Sequence, residues 1–249
     1  MAAALVALTV LHIQLAHFFT VDSLLAFFVV SAPAAEARIQ KTKPVGWGPR
    51  TSKAAAKLVD RSKWEPRPQN TAYNHHRPTK KMLRAWRKQS EMPYKKYVDG
   101  NYRGTTDEII QWAAAKWGLN TNLMRAVATV ESWWVMDTHG DNGDSFGLYQ
   151  VRRPYHCFDD CDIAGKYTAF NADYYGGIIR SYLDGTQTWL NTVGGSGKRY
   201  KAGSLWGSIG AWYSGRWFPP GNAGLDQYWA DIKMRRAEVT WHQPFFVGK

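Results

Sequence analysis

Glu131 is the residue around which chemistry can be built. It lies beside an apolar stripe, Leu123, Val127, Val130 and Trp134, whose i, i+4, i+7, i+11 spacing is helical. Ser132, Trp133 and Trp134 follow it directly. A carboxyl group among aromatic side chains at the apolar end of a helix should titrate above the usual carboxylate range, because burial disfavours the charged form. An acid kept protonated near neutral pH can give its proton to a leaving oxygen. Residues 137–146 then supply Asp137, Asp141 and Asp144 among turn residues, and the compact run Gly147-Leu148-Tyr149-Gln150-Val151 follows. The three aspartates lack the EF-hand spacing and its terminal Glu, so calcium is not indicated and no metal site is expected.

The ordered pair Glu131-Ser132 and, some fifteen residues on, Gly147-Leu148-Tyr149-Gln150-Val151 resembles the Glu-Ser and Gly-Leu-Met-Gln motifs of soluble lytic transglycosylases. Goose-type lysozymes share both motifs. A third segment, Ala169-Phe170-Asn171-Ala172-Asp173-Tyr174-Tyr175-Gly176-Gly177, resembles the Asn-led helix of that family. A fourth, Gly210-Ala211-Trp212-Tyr213-Ser214-Gly215, is similar to its Ala-Tyr-Asn-Ala-Gly segment, with Ser214 standing where Asn is usual. The resemblance covers residues 104–221, under half of the 249-residue chain.

The resemblance implies a mainly α, lysozyme-like transglycosylase domain that cleaves the MurNAc–GlcNAc β-1,4 bond of peptidoglycan and needs no cofactor. In that family one glutamate acts first as acid and then as base, while the 6-hydroxyl of MurNAc closes a 1,6-anhydro ring. Glu131 matches that glutamate. Ser145, Tyr149, Gln150, Asn171 and Tyr213 are the implied glycan-binding residues. Tyr213 is also the implied hydrogen-bond donor to Glu131. Asn171 has an alternative as a helix N-cap, and Tyr213 has one as core filler behind Leu205, Ile209 and Trp212. Asp141 matches an aspartate thought to position a hydrolytic water in goose-type lysozymes. At the second such position this chain has Arg152. A muramidase is therefore the nearest competing reading, and a wall-binding protein with slow or no turnover is a further one.

Positioning these residues falls to helices. Thr105 or Thr106 should cap a helix with Asp107 and Glu108 in its first turn, where the helix dipole favours anions. Gly118 should end it, and Asn120 or Thr121 should start the Glu131 helix. Further helices are expected over 168–185, 204–215 and 225–239. Residues 137–146 hold too many turn formers for regular structure.

The formal charge of +12 is unevenly placed. Residues 38–103 hold 18 Lys+Arg against 4 Asp+Glu, a net +14, whereas residues 104–249 hold 14 of each sign and are neutral. High like-charge density with little apolar periodicity predicts that 38–103 is a largely disordered basic linker, with short helices near Ala54 and Met82. Such a tether would adhere to anionic wall polymers, and its removal would spare cleavage of soluble glycan. Nucleic acid is not expected, because its aromatics are not interleaved as in a stacking platform. Residues 1–37 read as a signal peptide or membrane anchor, with an apolar run from Leu24 to Val30 and Ala35-Glu36-Ala37 as a small-x-small cleavage site. An extracytoplasmic location, secreted or envelope-associated, follows. In that setting Cys157 and Cys161 can close a local disulfide. Zinc on the two cysteines and His156 would lack a fourth ligand.

Overall fold

A computed structural model describes residues 41–158 and 161–247. The leader expected over residues 1–37 lies outside them. In chain order the helices are α1 (Ser52–Ala56), α2 (Thr71–Asn74), α3 (Lys80–Gln89), α4 (Thr106–Trp117), α5 (Thr121–Ser132), α6 (Asp162–Gly165), α7 (Thr168–Leu183), α8 (Leu205–Ser214) and α9 (Ala223–Ala237). Two-residue strands β1 (His139–Gly140), β2 (Ser145–Phe146) and β3 (Val151–Arg152) pair antiparallel in that order. The fold is mainly α, and none of the described helices is long and apolar enough to cross a membrane.

The central helices form where their caps dictate. The Thr105 hydroxyl accepts from Glu108 N–H and the Glu108 carboxylate accepts from Thr105 N–H, a reciprocal box that starts α4. Gly118 ends it in the left-handed region, at φ 63°. Asn120 caps α5 by accepting from Leu123 N–H. That helix stops when Trp133 and Trp134 both turn left-handed, at φ 56° and 62°. The turn buries Trp134 fully, in a cluster with buried Trp241 and Phe246 and half-buried Trp64. Burial of an aromatic of this size stabilises the fold by roughly 3 kcal/mol, which works against the strain of the two left-handed residues. Helix α4 packs on both α5 and α7. Gly176 and Gly177 allow the α7 approach, because a Cβ there would lie 2.5 Å from the Trp117 ring and 2.4 Å from Met92 Cε.

Residues 41–103 are not the disordered tether that their composition suggests. Ala55, Leu83, Trp86, Met92 and Val98 are buried in the main core. The polar residues are tied down as firmly. Glu65 accepts from the Thr106 N–H at the start of α4, at 2.7 Å. Arg67 is fully buried and donates to the carbonyls of Trp133 (2.8 Å) and Phe246 (2.5 Å). Asp99 pairs at 2.9 Å with buried Lys116, whose ammonium also meets buried Asp173 at 2.7 Å. A composition average hides this arrangement, because each anchor is a single residue separated from the next by solvated lysines and arginines.

The strand ladder over residues 139–152 replaces the irregular loop expected there. Two-residue strands are too short to leave an alternating pattern in the sequence.

Candidate active site

Glu131 occupies the last turn of α5, where the negative end of the helix dipole opposes a second negative charge. It keeps a partly exposed edge, yet protein surrounds the carboxyl. Burial pushes its pKa up to about 7, assisted by the negative charge of Asp141. Hydrogen bonds from Tyr228 and Trp212 work in the opposite direction and moderate the rise. The Tyr228 hydroxyl donates to Glu131 Oε1 at 2.5 Å. The site therefore holds a carboxylic acid that keeps its proton much closer to neutrality than an exposed carboxyl does, with the Tyr228 hydroxyl ready to receive its charge once the proton has gone.

Ser132 joins the two sequence motifs. Its hydroxyl donates to the Leu148 carbonyl at 2.8 Å, which fastens the 147–151 turn to the end of α5. Gly147 stands at φ 75°, and a Cβ there would lie 2.6 Å from Asn171 Nδ2 and 2.7 Å from Met136 Cε. No other residue fits.

Several residues expected to bind glycan hold this turn instead. Asn171 is fully buried. Its Oδ1 accepts from Tyr149 N–H at 2.8 Å, and its Nδ2 donates to the carbonyls of Phe146 (2.8 Å) and Ala164 (2.9 Å). It lies within the first turn of α7, whose N-cap is Tyr167, so it is neither a sugar contact nor a cap. Tyr149 is fully buried as well. Its ring stacks on Tyr175 at 4.1 Å and its hydroxyl donates to the Met124 carbonyl, so it packs the floor from beneath. Gln150 uses its Nε2 protons on the carbonyls of Thr138 and Gly147. Ser145 is buried and its hydroxyl donates to Asp141 Oδ2 at 2.5 Å. That same carboxylate oxygen lies 3.6 Å from Arg152 Nε across the ladder. Asp141 is thus held from two sides.

The donor to Glu131 is Tyr228 of α9, not Tyr213. Tyr213 is 47% exposed and stacks on the Tyr228 ring at 4.5 Å. In the sequence nothing marks Tyr228 apart from the other aromatics of the last helix. Trp212 was equally hidden as a member of the α8 stripe. Behind Trp212, His156 stacks on its indole at 4.8 Å and makes a 2.6 Å hydrogen bond with the Tyr174 hydroxyl. Burial and the Arg152 charge depress His156 to about 3, so it remains neutral at working pH. Cys157 and Cys161 are joined in a disulfide next to this turn. Among the described residues no cluster of His, Cys, Asp or Glu could hold a metal ion. A cavity of about 470 Å³, lined by Tyr73, Asp137, His139 and Arg153 among others, flanks the strand ladder and does not include Glu131.

No family, curated protein or solved structure matches the chain.

Tyr228→Phe tests the new contact. The phenol donates to the ionised carboxylate, so its loss favours the protonated form and raises the Glu131 pKa. A hydrogen bond to a charged group is worth about 1.5–3 kcal/mol, which corresponds to roughly one to two pH units. The alkaline limb of the pH–rate profile should move upward by about that much, with a lower maximum rate. An unmoved limb in a well-folded variant would show that Tyr228 does not govern Glu131.

Proposed function

We propose that this chain is an exported peptidoglycan lytic transglycosylase with a lysozyme-like catalytic domain, in which Glu131 serves as the acid and then the base. The observation that carries the reading is a single carboxyl group with a pKa raised to about 7, hydrogen-bonded by Tyr228, whose neighbouring carboxylate is already engaged. Protonated Glu131 gives its proton to the glycosidic oxygen as the C1–O bond breaks, and the GlcNAc side leaves as an alcohol. Positive charge develops at C1. The carboxylate left behind then removes the proton from the 6-hydroxyl of the same MurNAc, and that oxygen bonds to C1. The ring closes, Glu131 is protonated again and no water is consumed. Intramolecular attack gains from effective concentration, which can supply about 7–11 kcal/mol of barrier reduction. The general-acid role calls for a carboxyl protonated near neutral pH, which the burial of Glu131 provides.

The competing hydrolase reading needs a held water and a base on the opposite face of the sugar, about 6.5–9.5 Å from the acid. Asp141 is the residue available for that task. Its Oδ2 takes the Ser145 proton and faces the Arg152 guanidinium, and Arg152 is permanently protonated and cannot itself be a base. Digestion of purified peptidoglycan followed by mass spectrometry should therefore yield mainly 1,6-anhydroMurNAc ends. Asp141→Asn should change the product type little. Mainly reducing-end MurNAc, abolished by Asp141→Asn, would establish a muramidase instead. No product of either type from the folded chain would leave a wall-binding protein.

A further inference from the structure

The outward face of α3 is charged in a way that works against the helix. At 100° per residue, Arg87, Lys80, Arg84, Lys88 and Lys81 fall within about 120° of arc. Leu83 and Trp86 lie on the opposite side and are buried. The Arg87 guanidinium is accounted for, donating to the carbonyls of Lys95 and Val98. Lys80, Lys81, Arg84 and Lys88 are exposed, and the ion pairs among the described residues include none of them. Lys80 and Arg84, like Arg84 and Lys88, are like charges at i, i+4, which lowers helix stability. Lys80 and Lys81 also sit in the first turn, where the helix dipole repels cations and where no acidic residue offsets them. The sequence offers no carboxylate nearby, because no Asp or Glu occurs between Glu65 and Glu91. His75, His76 and Arg77, all exposed, lead into the same end of the helix.

Nor is this stripe a loose tail. The Trp86 indole N–H donates to the His156 carbonyl at 3.0 Å, and its ring packs edge-on against Phe170 and Tyr174. His156 stacks in turn on Trp212, the partner of Glu131. The helix that carries the cations is therefore anchored in the core, and Trp86, His156 and Trp212 connect it to the Glu131 site.

We propose that the α3 face formed by Lys80, Lys81, Arg84 and Lys88 is a docking surface for a linear phosphodiester polymer of the cell wall. Lys80, Arg84 and Lys88 are about 6 Å apart along the axis, a spacing that successive phosphates of a short-repeat chain can follow. The exposed residues of α3 are these cations with Ala85 and Gln89. None is aromatic, so the face lacks the stacking platform of a single-strand binder, which favours a polymer without bases over single-stranded nucleic acid. The choice of a wall polymer rests on the peptidoglycan reading above. The existence of an anion-binding face does not.

The test compares the full chain with K80Q/K81Q/R84Q/K88Q for binding to immobilised poly(glycerol phosphate), to single-stranded DNA of matched charge and to a neutral chitin oligosaccharide. Gln keeps helix propensity and removes the repulsion, so the variant should melt no lower than the parent. The milder pair K81Q/R84Q serves if it does not fold. Four phosphate contacts should make the parent lose affinity for poly(glycerol phosphate) roughly 50-fold between about 50 and 200 mM salt. The fourfold variant should lose most of that dependence and bind about tenfold or more weakly at low salt. Cleavage of soluble glycan strands should be the same in both. Equal poly(glycerol phosphate) binding by parent and variant overturns the proposal, and so does tighter binding of DNA than of poly(glycerol phosphate). A parent that binds the polymer in this way yet cleaves nothing overturns the enzymatic reading alone.

Discussion

Glu131→Gln should abolish glycan cleavage and at the same time stabilise the fold above pH 7. The amide keeps an oxygen for Tyr228 but has no proton to give and recover. Loss of general acid–base work alone lowers rates by about 10²–10⁴-fold, and here one residue carries both halves of the proton transfer. The stability effect follows from the raised pKa. Glu131 titrates near 4.5 in the unfolded chain and near 7 in the fold. Between those values the unfolded state has released its proton and the folded state has not, so rising pH favours unfolding. Below about 4.5 the carboxyl contributes no slope, and above about 7 the loss is complete. At 1.36 kcal/mol per unit, the interval amounts to about 3 kcal/mol. The glutamine chain escapes it. Its advantage in denaturant unfolding should be absent at pH 4 and should reach its full size by pH 8. In the parent chain the proposed cleavage rate should fall about tenfold per pH unit above about 7, as the acid form is titrated away. Near-normal turnover by a folded Glu131→Gln chain would exclude the assignment. A stability gap independent of pH would exclude the buried-acid account of it.

The sequence exposes what local rules govern. The starts of α4 at Thr105 or Thr106 and of α5 at Asn120 or Thr121, the Gly118 stop and the helices around residues 168, 205 and 225 follow from caps and periodicity, and the structure has them, with Thr105 and Asn120 as the caps. The pairing of Ser132 with the 147–151 turn is also local in origin, since the two motifs are only fifteen residues apart. Contacts between distant helices leave no such trace. Tyr228 reaches Glu131 across 97 residues, and in the sequence it is one more aromatic on an amphipathic helix. Asn171 reads equally well as a cap or a sugar ligand, because an amide side chain does not reveal which backbone groups it will meet. The motif implies glycan contact for Ser145 and Tyr149, and both are buried in the turn for a related reason. A motif states that residues matter together, and side chains that shape a turn recur in it as regularly as those that touch a ligand. The Asp141–Arg152 pair was legible as charge complementarity, and the three-strand ladder supplies the geometry that closes it.

Deletion of residues 41–100 should abolish cooperative folding, where a tether would be removed without consequence. The segment covers the outer side of α4. Without it the Trp112 indole N–H loses the Ser52 carbonyl, and the buried Lys116 loses Asp99 and the Ser52 hydroxyl. Thr106 N–H at the start of α4 loses Glu65, and the carbonyls of Trp133 and Phe246 lose Arg67. Lys116 keeps Asp173 alone, and each buried polar group left without a partner costs about 1–3 kcal/mol. Each large apolar side chain removed from the core, Leu83 and Trp86 among them, costs a further 2–5 kcal/mol or so. A domain has only about 5–15 kcal/mol of total stability. The deletion incurs all of these losses at once, and together they exceed that margin. The Glu131 site should fail with the fold, because the α5 end and the Trp134 cluster are clamped by Arg67, Asn70 and Trp64. The shortened chain should therefore give a broad denaturant transition, poorly dispersed amide resonances and no cleavage even of soluble glycan strands. A sharp transition together with undiminished cleavage would mean that residues 41–100 are a tether after all.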